Sequence, residues 1–155
     1  MDILIMSDLP FNGDFTLSMT NRRNTDITID GYVADDKTQW MHGTQFTNYV
    51  IDDGTVRSPG TAEKGVTVGA YDPRGTRNIR GDINDFSSRG KTIDGRRALD
   101  ITAPGTLVYS LTSSFAVGGQ PGGYIDFGGT SAALPHVTGC AALILQSEPT
   151  LPPDA

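Results

Sequence analysis

The sequence is poor in the residues that most often carry chemistry: one cysteine, one tryptophan and two histidines in 155 residues. Cys140 alone excludes an intrachain disulfide and leaves the redox compartment unreadable. Set among Gly139, Ala141 and Ala142, it reads as a small core residue. No apolar run reaches bilayer-spanning length. Met1-Asp2-Ile3 also lacks the basic start of a secretory leader. The formal net charge of -6 argues against nucleic acid and anionic membrane as partners. The Gly118–Gly123 tract has neither the spacing nor the lysine of a phosphate-cradling loop.

Glycine and proline, by contrast, are plentiful at 19 and 9, which points to a loop-rich β or α/β body. Residues 1–54 read as a small β-rich subdomain. Short strands are expected at residues 3–6, 15–19 and 27–33, and alternation in the last two suggests an antiparallel meander with one wet face. Trp40 and the pairs Asp35-Asp36 and Asp52-Asp53 mark either a binding edge, a cation site or ordinary loop acids. From residue 55 the pattern changes. Val66–Ala70 is a short apolar run bounded by glycines, as in the interior of a parallel sheet. Further strands are expected at 84–87, 98–101 and 107–111, and Tyr124–Phe127 leads from a glycine-rich turn cluster into the serine.

Residues 128–139 read Gly-Gly-Thr-Ser-Ala-Ala-Leu-Pro-His-Val-Thr-Gly, opening a helix expected over Ser131–Gln146. Leu134, Val137, Ala141, Ile144 and Leu145 lie at helical spacing, and apolar residues continue round most of the circumference, so the helix should be buried. Thr130 or Ser131 can cap it. A serine there also meets free N–H groups and the positive end of the helix dipole, which favour developing negative charge. Pro135 has no N–H for the Ser131 carbonyl, which leaves the first turn partly open.

The whole string, Gly-Thr-Ser, small residues, then Pro-His-Val and Gly, resembles the serine motif of the subtilisin-like serine proteases (subtilases). Three further stretches follow the family's order: Ser58–Ala62 with Gly65–Ala70, then Phe86–Gly90, then Asp94–Arg96 with Asp100–Gly105. The resemblance covers about residues 55–155. It implies an α/β fold in which an incomplete, mostly parallel sheet carries a buried serine-bearing helix, with residues 1–54 as an inserted support subdomain. It also implies Ser131 as nucleophile with its N–H at the oxyanion, and Thr130 assisting there. Gly69 and Ala70 would line the specificity pocket, although Gly69 reads equally as a sheet-packing glycine. The partner would be a peptide or protein substrate, and the longer protein secreted or periplasmic. No cofactor is implied beyond a weak structural Ca2+ in that longer protein. Asp100 falls at a position some subtilases use for it, but one carboxylate is a poor site.

The resemblance also defines what is missing. In subtilases the aspartate, the histidine and the oxyanion asparagine precede the strand matched by Gly65–Ala70, and residues 1–54 contain no recognisable version of them. His42-Gly43-Thr44-Gln45 repeats only the first three letters of the His-Gly-Thr-His motif and reads as a loop histidine. His136 lies on the serine's own helix as a packing and hydrogen-bonding residue. Both ends of the chain are expected to be cut from a longer protein. The isolated chain is therefore expected to be inactive, and its open sheet edge and uncovered helix face to promote self-association. Two alternatives stand beside this reading: a non-catalytic structural or binding module derived from a subtilase, and a self-sufficient enzyme using His42.

Overall fold

A computed structural model describes residues 13–14, 16–33, 45–112 and 123–152. The chain divides into two compact units, Met1–Tyr32 and Val33–Ala155. The division falls earlier than the boundary expected at residue 54.

The described part of the first unit has no strand. Residues 16–33 are irregular, and so are residues 45–54 of the second unit, so the strands expected at 15–19 and 27–33 are not formed where the chain is described. Alternation alone makes no strand, because the backbone groups also need a ladder partner on a neighbouring strand. Leu17, Met19, Ile27 and Ile29 are all exposed. The strand expected at 3–6 lies outside the described residues, as do His42, Trp40 and Asp35-Asp36.

The second unit is α/β. Strands β1 (Val68–Tyr71) and β2 (Ile101–Pro104) pair in parallel with Val68 opposite Ile101. Strands β3 (Val108–Leu111) and β4 (Tyr124–Phe127) form an antiparallel pair with Val108 opposite Phe127. Helix α1 runs from Thr130 to Ser147, as its apolar spacing predicts. Ile101, rather than Ala98, opens β2 for a local reason. The Asp100 carboxylate accepts the Thr67 N–H at 2.8 Å while the Asp100 N–H donates to the Thr67 carbonyl at 3.0 Å. Asp100 is thus a clamp at the mouth of the ladder. The strand expected at 84–87 is instead a turn, in which the Asn84 N–H bonds the Ala70 carbonyl and the Ser87 N–H returns to Asn84.

The connection from β1 to β2 folds around one buried side chain. Asp72 has no exposed surface, yet its carboxylate accepts the N–H groups of Arg74, Gly75 and Arg77 at 2.8–2.9 Å. The Asn78 N–H and the Thr76 hydroxyl add longer bonds at 3.3 Å. These donors, the Arg77 N–H first, hold the acid well below the usual carboxylate range, and burial opposes them without prevailing. Farther along, the Thr92 hydroxyl and the Arg96 guanidinium lower Asp94 from 3.8 to about 2.

The core is small and built from alanine. Ala70 of β1, Ala103 of β2 and Ala133 of α1 meet with Val68, Phe86 and Val137 packed around them. Such short side chains let the helix backbone come close to the sheet. They also limit the cover. An 18-residue helix is about 27 Å long, whereas a four-residue strand is about 13 Å. Only Ala132 and Ala133 of the helix are buried, and Leu134, Leu143, Ile144 and Leu145 are half exposed or more. The helix is therefore not buried within this chain, and Cys140 is exposed rather than a core residue.

Candidate active site

Both parallel strands end where α1 begins, the side of an open α/β sheet on which sites form. Three consecutive backbone links join the two. The Gly105 N–H, just past β2, donates to the Tyr71 carbonyl at the end of β1 at 3.0 Å. The Gly105 carbonyl accepts the Gly129 N–H at 2.8 Å, and the Gly129 carbonyl takes the Ala132 N–H at 3.0 Å. Gly129 is the N-cap residue with φ 92, a left-handed value suited to glycine, and no side chain caps the helix. Thr130 and Ser131 are helical residues rather than caps. That frees the Ser131 hydroxyl from the structural task that serines at helix starts usually perform.

Ser131 and Thr130 are both exposed. Their N–H groups make no backbone hydrogen bond among the described residues, as the first turn of a helix allows. Pro135 inside the helix leaves the Ser131 carbonyl without its usual donor. The site thus combines an accessible hydroxyl, unused N–H donors and the positive end of the helix dipole. This arrangement is suited to a nucleophile whose attack creates an oxyanion.

No acid or imidazole bonds the Ser131 hydroxyl among the described residues. His136 is held by its own helix: its Nδ1 lies 2.8 Å from the Ala132 carbonyl. A carbonyl only accepts, so Nδ1 carries the proton. At five residues past Ser131 the ring stands about 140° further round the helix. It is a hydrogen-bonding residue of its own helix, exposed rather than packed.

Gly69 and Ala70 are buried on β1 beside this turn. The Ala70 N–H donates to the Ser87 hydroxyl at 3.0 Å. A Cβ on Gly69 would sit 3.2–3.3 Å from Thr102, Leu99 and Ser87, so a side chain there would crowd its neighbours. A shallow pocket of about 150 Å³ between Asp52, Thr55, Asp85, Phe86 and Arg89 includes Asp52 but none of Ser131, Thr130, Gly69 and Ala70. Asp53 is an ordinary loop acid that accepts the Gly54 and Lys91 N–H groups at 2.9 and 3.1 Å. Among the described residues no three His, Cys, Asp or Glu side chains cluster to hold a metal, and Asp100 spends its carboxylate on Thr67.

Sequence reasoning overlooked Asp72 and the part played by Gly105. Asp72-Pro73-Arg74-Gly75 carries a usable signal, since an aspartate two and three residues ahead of backbone donors forms an Asx turn. Gly105 left no local signal, because its partners are distant in sequence.

The described fold is α/β, with two parallel strands that end at a helix whose first turn carries an uncapped, exposed serine. The subtilase family model matches residues 19–155, and the chain belongs to that family. It is 44% identical over 114 residues to serine protease AprX of Bacillus subtilis (strain 168), covering 66% of this chain and 25% of AprX. Pyrolysin of Pyrococcus furiosus is 34% identical over 142 residues, 73% of this chain and 10% of pyrolysin. Subtilisin DY of Bacillus licheniformis is 37% identical over 97 residues, 63% of this chain and 28% of that protein. The chain thus spans about a quarter or less of these relatives. Among the described residues no helix is long and apolar enough to cross a membrane.

Proposed function

We propose that this chain is the nucleophile-bearing portion of a serine endopeptidase. Ser131 Oγ attacks the carbonyl carbon of a peptide bond, and its proton passes to a base supplied by polypeptide outside residues 1–155. The carbonyl oxygen becomes an oxyanion beside the Ser131 N–H, with Thr130 at the same helix tip. Ala70 and Gly69 lie along the substrate side. The chemistry needs side chains and backbone only, and the substrate is a peptide or protein outside the cell. The observation that carries this reading is the exposed, uncapped Ser131 at a helix N-terminus tied to the ends of two parallel strands.

The same reading makes the isolated chain inactive. Where serine acts with a partner base, losing that base costs on the order of 10⁶ in rate. The apolar side chains bared along α1 make self-association the expected state of the isolated chain.

Casein hydrolysis tests both statements. The full-length natural polypeptide should cleave casein, and Ser131→Ala should abolish cleavage while residues 1–155 alone show none. Full-length protein that cleaves nothing would favour a non-catalytic module derived from a subtilase. Cleavage by the isolated chain that His42→Ala removes would favour a self-sufficient site.

A further inference from the structure

The turn between β2 and β3 carries unusual features for a simple connector. Gly105 touches the core on one side and the serine turn on the other. A Cβ built on it would sit 2.4 Å from the Ala70 Cβ and 3.1 Å from the Gly129 carbonyl oxygen. Both of its backbone polar groups are committed, N–H to Tyr71 and carbonyl to Gly129. Two residues later Leu107 adopts a left-handed backbone with φ 51, uncommon for a branched side chain. Between them, the Thr106 hydroxyl is buried without a hydrogen-bond partner among the described residues. Strain and an unpaired buried group in one short turn persist only where the surroundings impose them.

The Gly129 N–H has one backbone acceptor, Gly105, and its left-handed φ aims the chain into α1. Gly128 has only the Gly105 carbonyl within reach of a hypothetical Cβ, at 3.4 Å. The serine turn therefore rests on Gly105 rather than on its own side chains, since no side chain caps the helix.

From these contacts we infer that Gly105 is a positioning residue for the nucleophile, its carbonyl setting where Ser131 stands relative to the ends of β1 and β2. The inference rests on the protease reading for its catalytic meaning, though the contact itself does not. Any side chain at 105 pushes the turn away from Ala70 or displaces Gly129. Ser131 moves with it, and a displacement near 1 Å is enough to cost about 100-fold in rate.

Hydrogen exchange on residues 1–155 reads the contact without any need for activity. In Gly105→Ala the Gly129 amide should exchange about tenfold faster, the scale of one lost hydrogen bond. The Asn84 and Asp100 amides, bonded to Ala70 and Thr67, should keep their protection. If the single variant loses its fold, Ala70→Gly with Gly105→Ala decides the matter, because it removes the 2.4 Å collision. Protection at Gly129 should return in that double variant. Unchanged Gly129 exchange in the single variant, or a double variant that fails to restore it, overturns the inference.

The catalytic arm uses the full-length polypeptide. Gly105→Ala should lower kcat about 100-fold with KM little changed and the pH profile in place. A raised KM at unchanged kcat would also overturn it. Wild-type protein without activity would instead sink the protease reading, leaving the exchange result to judge the contact.

Discussion

The two ends of α1 have similar composition and opposite surroundings. At the N-terminal end Ala133 packs with Ala70 and Ala103, Ala132 is buried next to it, and backbone bonds through Gly105 fix the approach. At the C-terminal end Leu143 is 66% exposed beside Ile144 and Leu145, with nothing described packed over them. The contrast separates two properties that apolar sequence confounds. Holding the serine needs small residues and a close backbone. Burying the helix needs a cover that two short strands do not provide.

Substitutions at the two ends should differ accordingly. Ala133→Leu forces a larger side chain into a site with no exposed surface and should cost about 1–3 kcal/mol, read as a lower urea midpoint. Leu143→Ala should stay within about 0.5 kcal/mol in the same titration. Equal losses would erase the distinction. Next in size is self-association. Replacing Leu143, Ile144 and Leu145 together by Gln should shift the isolated chain from dimer or larger species to monomer by light scattering. A wild-type chain that is already monomeric would show that the bare end is not adhesive.

The anchored end also depends on the loop leaving β1, and so on Asp72. A carboxylate with a lowered folded-state pKa favours the native state when ionised. Its stabilisation is complete above the ordinary carboxylate range and is lost as pH falls through the folded value. Asp94, lowered from 3.8 to about 2, acts with the same sign between those values. Acidification below about pH 4 should therefore destabilise the wild type, with a shallower slope in Asp72→Asn. An identical slope in the variant would remove Asp72 from the account. The smallest effect should come from Asp94→Asn, whose ion pair with Arg96 is solvent-exposed.

The serine motif, α1 and β3 were legible because each is set by residues close in sequence: the glycine pair, helical spacing, and a short apolar run between turns. Strand β4 needed the pairing with β3 to be seen as a strand. The failures share one cause. The Thr–Leu and Ile–Thr alternation in residues 16–33 has the look of strands, but a ladder partner is a non-local fact. The stretch at 84–87 became a turn because Asn84 and Ser87 were taken up by Ala70. Cys140, Ile144 and Leu145 look like core residues in sequence because their apolarity is local and their cover is not. Gly105 was legible as a motif member, while its contact with Gly129 is a product of the fold.

The account turns on whether Ser131 is a nucleophile once its partners are present. A fluorophosphonate probe and intact-mass analysis ask this directly. In the full-length natural polypeptide the account predicts one adduct, on Ser131, absent after Ser131→Ala and absent from residues 1–155 alone. A full-length protein that takes no adduct, or takes it on another residue, would contradict it.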